Sequence, residues 1–312
     1  MEEQVFNDVL AGSEIGISGE AFSSQKPQAP YAAQSCTSLF FPGCSFLNAD
    51  PSLVQDVFGF LKERGLADGV SLLCCGKILM YEQDAETLKP AFQEELRQSI
   101  EAHGVKRIIT ACPNCVHELR EVLDVPAGGA PVEVVPLPAV FLGAGVAVSA
   151  EMVQSVLCQD GQGGQESTPR AGALPALAIH DSCPDRSIGE FASSVRALFP
   201  AQMLAEMEHN RQTAFCCGSL ANAAGRPDVA QSQAHRHGAE AQQASAQAIV
   251  TYCMSCARLL GRMQDDVATH HYLEFLFRRH LDWKGMAPYL EMRFLFEEMQ
   301  GTRDYFGAKP LE

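Results

Sequence analysis

Apolar positions alternate along the chain between short continuous runs and longer stripes of helical spacing. "SLFF" (38–41) is a run of the kind a buried strand requires. Behind it Leu53, Val57 and Leu61, flanked by Val54 and Phe58, recur at the spacing of one helix face. Asp50 before Pro51 supplies a cap and a first-turn proline for that helix. "VSLL" (70–73) predicts a second strand, Phe92, Leu96 and Ile100 a second helix stopped by Gly104, and "KRIIT" (106–110) a third strand. The order then returns. "ALAI" (176–179) is a strand, Ile188, Phe191, Val195 and Leu198 mark a helix, and "TAF" (213–215) is a strand. An Ala/Gln-rich helix and the strand "AIVTY" (248–252) follow. Strands alternating with helices predict an α/β protein with parallel sheets. In such sheets ligands gather at the carboxyl ends of the strands.

The cysteines fall into this pattern. Ten of twelve form two matching sets. Cys44 is followed after 29 residues by Cys74-Cys75, then after 36 by "CPNC", with Cys112 and Cys115. Cys183 is followed after 32 residues by Cys216-Cys217, then after 35 by "CMSC", with Cys253 and Cys256. Every one of the ten comes just past a predicted strand end. The repeat predicts two duplicated Rossmann-like domains, at 36–157 and 174–282, each of ordinary domain size. Residues 158–173, rich in Gly, Gln and Ser, read as a linker. Residues 1–35 read as a flexible tail, and 283–312 as an aromatic tail with Trp283, Tyr289, Phe294, Phe296, Tyr305 and Phe306. Such a tail suits docking of a partner or packing on its own domain. Cys36 and Cys158 stand outside the repeat as bystanders.

Charge narrows the partners. A formal net charge of -15 argues against nucleic acid and anionic membranes, which need basic patches. The stretch 134–150 lacks charge but is too short and too broken by Pro136, Pro138, Gly143 and Gly145 to span a bilayer. The acidic start "MEEQVFNDVL" does not resemble an export signal, so a reducing, cytoplasmic setting is expected. There, clustered cysteines serve metals or redox chemistry more often than structural disulfides.

Adjacent cysteines rarely bridge each other, and five thiols exceed the four that structural zinc requires. Soft thiolates in that number fit iron–sulfur chemistry better, because neighbouring cysteines can serve different irons. A zinc-stabilised interaction scaffold remains the alternative. The doubled C…CCG…CxxC pattern, with "FFPGC" before Cys44 and "IHDSC" before Cys183, resembles the CCG (cysteine-rich) domain family. That family includes the cysteine-rich subunit of heterodisulfide reductase and the iron–sulfur proteins of lactate and glycolate oxidation. The resemblance implies two noncubane [4Fe–4S] clusters, on Cys44, Cys74, Cys75, Cys112 and Cys115, and on Cys183, Cys216, Cys217, Cys253 and Cys256. It also implies an oxidoreductase subunit that reduces a disulfide or heterodisulfide. The alternative is an electron-transfer subunit partnering a flavoprotein hydroxy-acid dehydrogenase. Without a ferredoxin-type cysteine run, the chain needs a ferredoxin-like or flavoprotein electron donor.

Disulfide reduction consumes protons. His180 and Asp181, just before Cys183, are the candidate acid–base residues, with His117 a further one. Lys77, after the first CCG, could offset centre charge or meet a substrate carboxylate. His270 and His271 are expected to open a core-facing helix.

Overall fold

The computed structural model describes residues 36–71, 73–81, 85–123, 131–160 and 174–285. Two compact units divide at Val135–Pro136, and each is built on one four-stranded parallel sheet. The first contains β1 (Ser38–Phe41), β2 (Gly69–Val70), β3 (Arg107–Thr110) and β4 (Glu133–Pro136), in the order β2-β1-β3-β4. The second contains β5 (Leu177–His180), β6 (Leu204–Ala205), β7 (Ala248–Thr251) and β8 (Ala268–His271), in the order β6-β5-β7-β8. The duplication seen in the cysteines is therefore a duplication of topology.

Helices cover the strands because their apolar stripes have nowhere else to go. In Pro51–Glu63, Leu53, Val54, Val57, Phe58 and Leu61 are all buried, each worth about 1.5–3 kcal/mol against exposure. Asp50 caps that helix as expected, accepting from the backbone N–H of Ser52 at 2.9 Å and of Leu53 at 3.1 Å. Residues 136–157, grouped with the first half on sequence grounds, lie in the second unit. There Leu137–Gly143 packs against Glu190–Leu198, which gives Leu137, Val140 and Phe141 an apolar face to bury against.

Three expectations need correction. The strand expected over 70–73 ends at Val70. Its last ladder bond, from the Ser71 N–H to the Phe40 carbonyl at 2.8 Å, falls just beyond, and Cys74 and Cys75 sit in a loop. "TAF" forms no strand, since Arg211–Thr213 is a 3-10 turn closed by the Asn210 and Thr213 side chains. The edge strand is Leu204–Ala205, paired with Leu177 and Ala178, so Cys216 and Cys217 also lie in a loop. Ile188 is 54% exposed and precedes its helix, which starts at Glu190. The Asp185 carboxylate caps that start, accepting from the N–H of Phe191 and Ala192 at 3.2 and 2.8 Å.

His270 and His271 are buried as expected but end β8 rather than open the helix, which begins at Tyr272 with His271 as its cap. Trp283 is buried against Gly261. The rest of the aromatic tail from 286, residues 1–35 and residues 161–173 of the linker lie outside the described residues. No helix among the described residues is long and apolar enough to cross a membrane.

Candidate functional site

Strand register fixes where the cysteines go. Phe41 pairs with Thr110 and His180 with Thr251, so in each sheet the two central strands finish flush. Cys44 and Cys183 come three residues past one strand, and Cys112 and Cys253 two residues past the other. In both sheets these strands are the pair between which the connections turn in opposite directions, the crevice where α/β folds hold ligands.

The CCG loops complete each set. In the first unit the sulfurs form an unbroken chain at hydrogen-bonding reach, Cys44 to Cys74 to Cys75 to Cys115 to Cys112. The second unit repeats it as Cys183 to Cys216 to Cys217 to Cys256 to Cys253. None of the ten thiols is in a disulfide. Cys36 and Cys158 join neither chain. Cys36 precedes β1, at the opposite end of the sheet, with its thiol 3.1 Å from Asp68 Oδ1, and Cys158 is exposed on the helix Ala150–Asp160.

The glycine of each CCG is a turn device. Gly76 and Gly218 have φ of 78° and 100°, a left-handed conformation that favours glycine. That turn aims the Gly76 N–H at Cys74 Sγ and the Gly218 N–H at Cys216 Sγ, both at 3.4 Å. Backbone N–H groups on sulfur stabilise thiolate and raise the potential of a cluster it holds. Gly43 has a different reason. A Cβ there would stand 3.0 Å from Cys115 Sγ, so the bare backbone is what lets the first set close.

Five thiols so close cannot ionise independently. Hydrogen bonds from Cys115 and Cys74 pull Cys75 down to about 6, while its neighbours Cys112 and Cys75 push Cys115 well up. In the second set Cys256 draws Cys253 down to about 7, and Cys216 pushes Cys217 well up. A donor set of five contiguous sulfurs on mostly buried positions is chemically suited to a soft, multinuclear metal group.

The other expected residues separate. His180 is 1% exposed, and its ring lies with the sulfurs of Cys217 and Cys256 in a group whose ligand atoms are all within 4.8 Å of one another. Asp181 points away into a buried ion pair. Both its oxygens accept from Arg196, at 2.7 and 2.8 Å, and Oδ2 also accepts from the Arg211 N–H at 2.6 Å. His117 is exposed, beside Glu118. Lys77 is not a free cation, since its Nζ is 2.6 Å from the buried Glu118, which Lys89 also meets at 2.7 Å.

That triad has a pH signature. Burial opposes ionisation of Glu118, but Lys77 and Lys89 outweigh it and hold its carboxyl below the usual range. A depressed folded-state value contributes stability that is full above the unfolded value and lost as pH falls through the folded one. Acid unfolding of the first unit is expected to include this loss, and Glu118→Gln to flatten the acid limb of a denaturation-midpoint-against-pH curve. An unchanged acid limb would remove the triad from the acid response.

Sequence reasoning did not find a cavity in the second unit. It has a volume of about 390 Å³ and is lined by Asp185, Arg186, Ile188, Ala192, Arg211 and Tyr252 among others. The segment after Cys183 and the residue before Cys253 both contribute to it, and Asp181 also lines it, while no cysteine does. Arg186 has no ion-pair partner among the described residues, and its buried Nε meets no acceptor. Nothing in the sequence marked it, since Ile188 fitted the helical stripe and its exposure is visible only in the structure.

A model of the CCG cysteine-rich domain matches residues 38–120 and 177–261, which contain all ten cysteines. The chain belongs to the CCG cysteine-rich domain family. No curated protein matches it. Among solved structures, glutamate racemase isoform RacE1 from Bacillus anthracis aligns at 7% identity and TM-score 0.34, over 86% of this chain and 83% of that one. Picrophilus torridus aspartate racemase aligns at 8% identity and TM-score 0.34, over 84% and 99%. Glutamate racemase from Francisella tularensis in complex with D-glutamate aligns at 12% and 0.36, over 87% and 95%. At these scores the likeness carries no argument.

Proposed function

We propose that this CCG protein is an iron–sulfur subunit of an oxidoreductase that reduces a disulfide, in the manner of the cysteine-rich subunit of heterodisulfide reductase. The observation that carries the reading is the pair of five-sulfur chains, each complete and each at the switch point of its sheet. A noncubane [4Fe–4S] cluster bound at each set would supply electrons one at a time. Cleavage of the S–S bond takes two electrons and two protons and gives two thiols. The electrons come from a ferredoxin-like or flavoprotein partner.

The chain's own residues provide the rest. The glycine N–H groups brace Cys74 and Cys216. The cavity of the second unit has room for a small thiol or disulfide, and Arg186, with no ion-pair partner among the described residues, favours one with an acidic group. The test reduces the protein chemically under argon and then adds acidic, neutral and basic disulfides. Thiol release is expected, fastest with an acidic disulfide, together with a paramagnetic cluster signal that changes on thiol binding. Clusters that exchange electrons with a flavoprotein yet ignore every disulfide and thiol would overturn disulfide reduction.

A further inference from the structure

The two sulfur sets look alike until the residue at the end of each first strand is compared. Phe41 and His180 stand at the same place, each last in its strand and three residues before the first cysteine. Phenylalanine is at home in a core. A fully buried imidazole is not, unless its nitrogens find partners.

Two other buried histidines of this chain find such partners. His103 Nδ1 lies 2.7 Å from the Ser99 carbonyl, and His271 Nδ1 accepts from the Leu273 N–H. At His180 neither nitrogen has a partner among the described residues. Asp181, next in the chain, is fully engaged by Arg196 and Arg211. On the other side is His237, at 4.4 Å between ring centroids and edge-on, itself without a hydrogen-bond partner and stacked on Phe215. A ligating imidazole is neutral and offers a lone pair, which neither nitrogen of His180 shares with a hydrogen-bond partner among the described residues. What it does approach is the group of Cys217 and Cys256 sulfurs.

We propose that His180 is a nitrogen donor to the second centre, sharing a metal with Cys217 and Cys256, so that the duplicated centres differ in ligand chemistry. The inference rests on the reading that these sulfurs hold a metal. It assigns His180 to the metal rather than to proton delivery. At the first centre Phe41 fills the equivalent place and offers no donor. Imidazole carries no charge as a ligand where thiolate carries one. Both sets keep five thiolates, so the imidazole is an added donor at the second centre, and the two centres differ in potential through it.

The experiment isolates each centre in the full chain. The C74S/C75S variant retains the second centre and C216S/C217S the first, and both are loaded with iron and sulfide without oxygen and partly reduced. Pulsed paramagnetic resonance on C74S/C75S is expected to show the strong nitrogen coupling of a bound imidazole, and growth on 15N-histidine to shift it. C216S/C217S should show none. His180→Phe in the C74S/C75S background should abolish the coupling. In the otherwise unaltered chain the two centres should be reduced at different potentials, and His180→Phe should narrow that difference.

Isotope labelling alone decides the matter if His180→Phe fails to load. A second centre without histidine coupling, or one whose coupling survives His180→Phe, overturns the proposal, as does a second set that takes up no metal. If metal analysis returns zinc, the iron–sulfur reading fails separately. The same isotope experiment on cobalt-substituted protein then tests His180.

Discussion

Protein purified without oxygen is expected to be brown and to carry about eight irons with a matching amount of acid-labile sulfide. Serine in place of Cys75 or of Cys217 should each reduce that to about four, because serine oxygen is a harder and poorer ligand for iron than thiolate. These positions are chosen for their place in the sulfur chains. Cys75 links Cys74 to Cys115, and Cys217 links Cys216 to Cys256, so either change divides its set. Serine at Cys36 or Cys158 is the control. Cys36 lies at the far end of its sheet against Asp68, and Cys158 is exposed, so neither change should alter iron content or visible absorption. Iron loss with Cys36→Ser equal to that with Cys75→Ser would break the division into ligands and bystanders. A colourless protein holding stoichiometric zinc would end the iron–sulfur reading and leave a zinc scaffold.

The duplicated topology was legible in the sequence because period and spacing report on packing. "SLFF", "KRIIT" and "AIVTY" are short apolar runs between helical stripes, and such runs fit only strands covered on both faces. The edge strands were not legible. Gly69–Val70 and Leu204–Ala205 are two residues each and pair on one side, so little hydrophobic pattern is needed to form them. "TAF" looked more like a strand than "LA" does, and a local capping arrangement around Asn210 decided otherwise. The ten cysteines could be grouped from spacing alone, since the strand ends that carry six of them are fixed by the central pairings. What spacing could not reveal was the different fate of two neighbours, His180 and Asp181. Successive residues leaving a strand face opposite sides, and here one side is sulfur while the other is Arg196.

Arg196→Ala is expected to destabilise the second unit by about 3–5 kcal/mol, measured by denaturant unfolding. Arg196 is 8% exposed and Asp181 2%, so the change strands a carboxylate where water cannot replace the lost cation. The geometry makes the loss a full one. Arg196 meets both oxygens of Asp181 in a fork, at 2.7 and 2.8 Å, and also both oxygens of Glu206, at 2.8 Å each. Lysine at 196 should recover only part of the stability, since a single ammonium cannot make two parallel contacts. Removing both partners should cost less than the sum of the single changes, because no unpaired charge is then left inside. The consequence for the centre follows from the chain path. Asp181 is two residues from Cys183, and its ion pair anchors the loop that presents both His180 and that cysteine. Iron bound by the second set should therefore fall in Arg196→Ala while iron in the first set stays unchanged. A cost below about 1 kcal/mol would put this pair in the class of exposed ion pairs. The anchor for Cys183 would then have to be Asp185, whose carboxylate holds the start of the following helix.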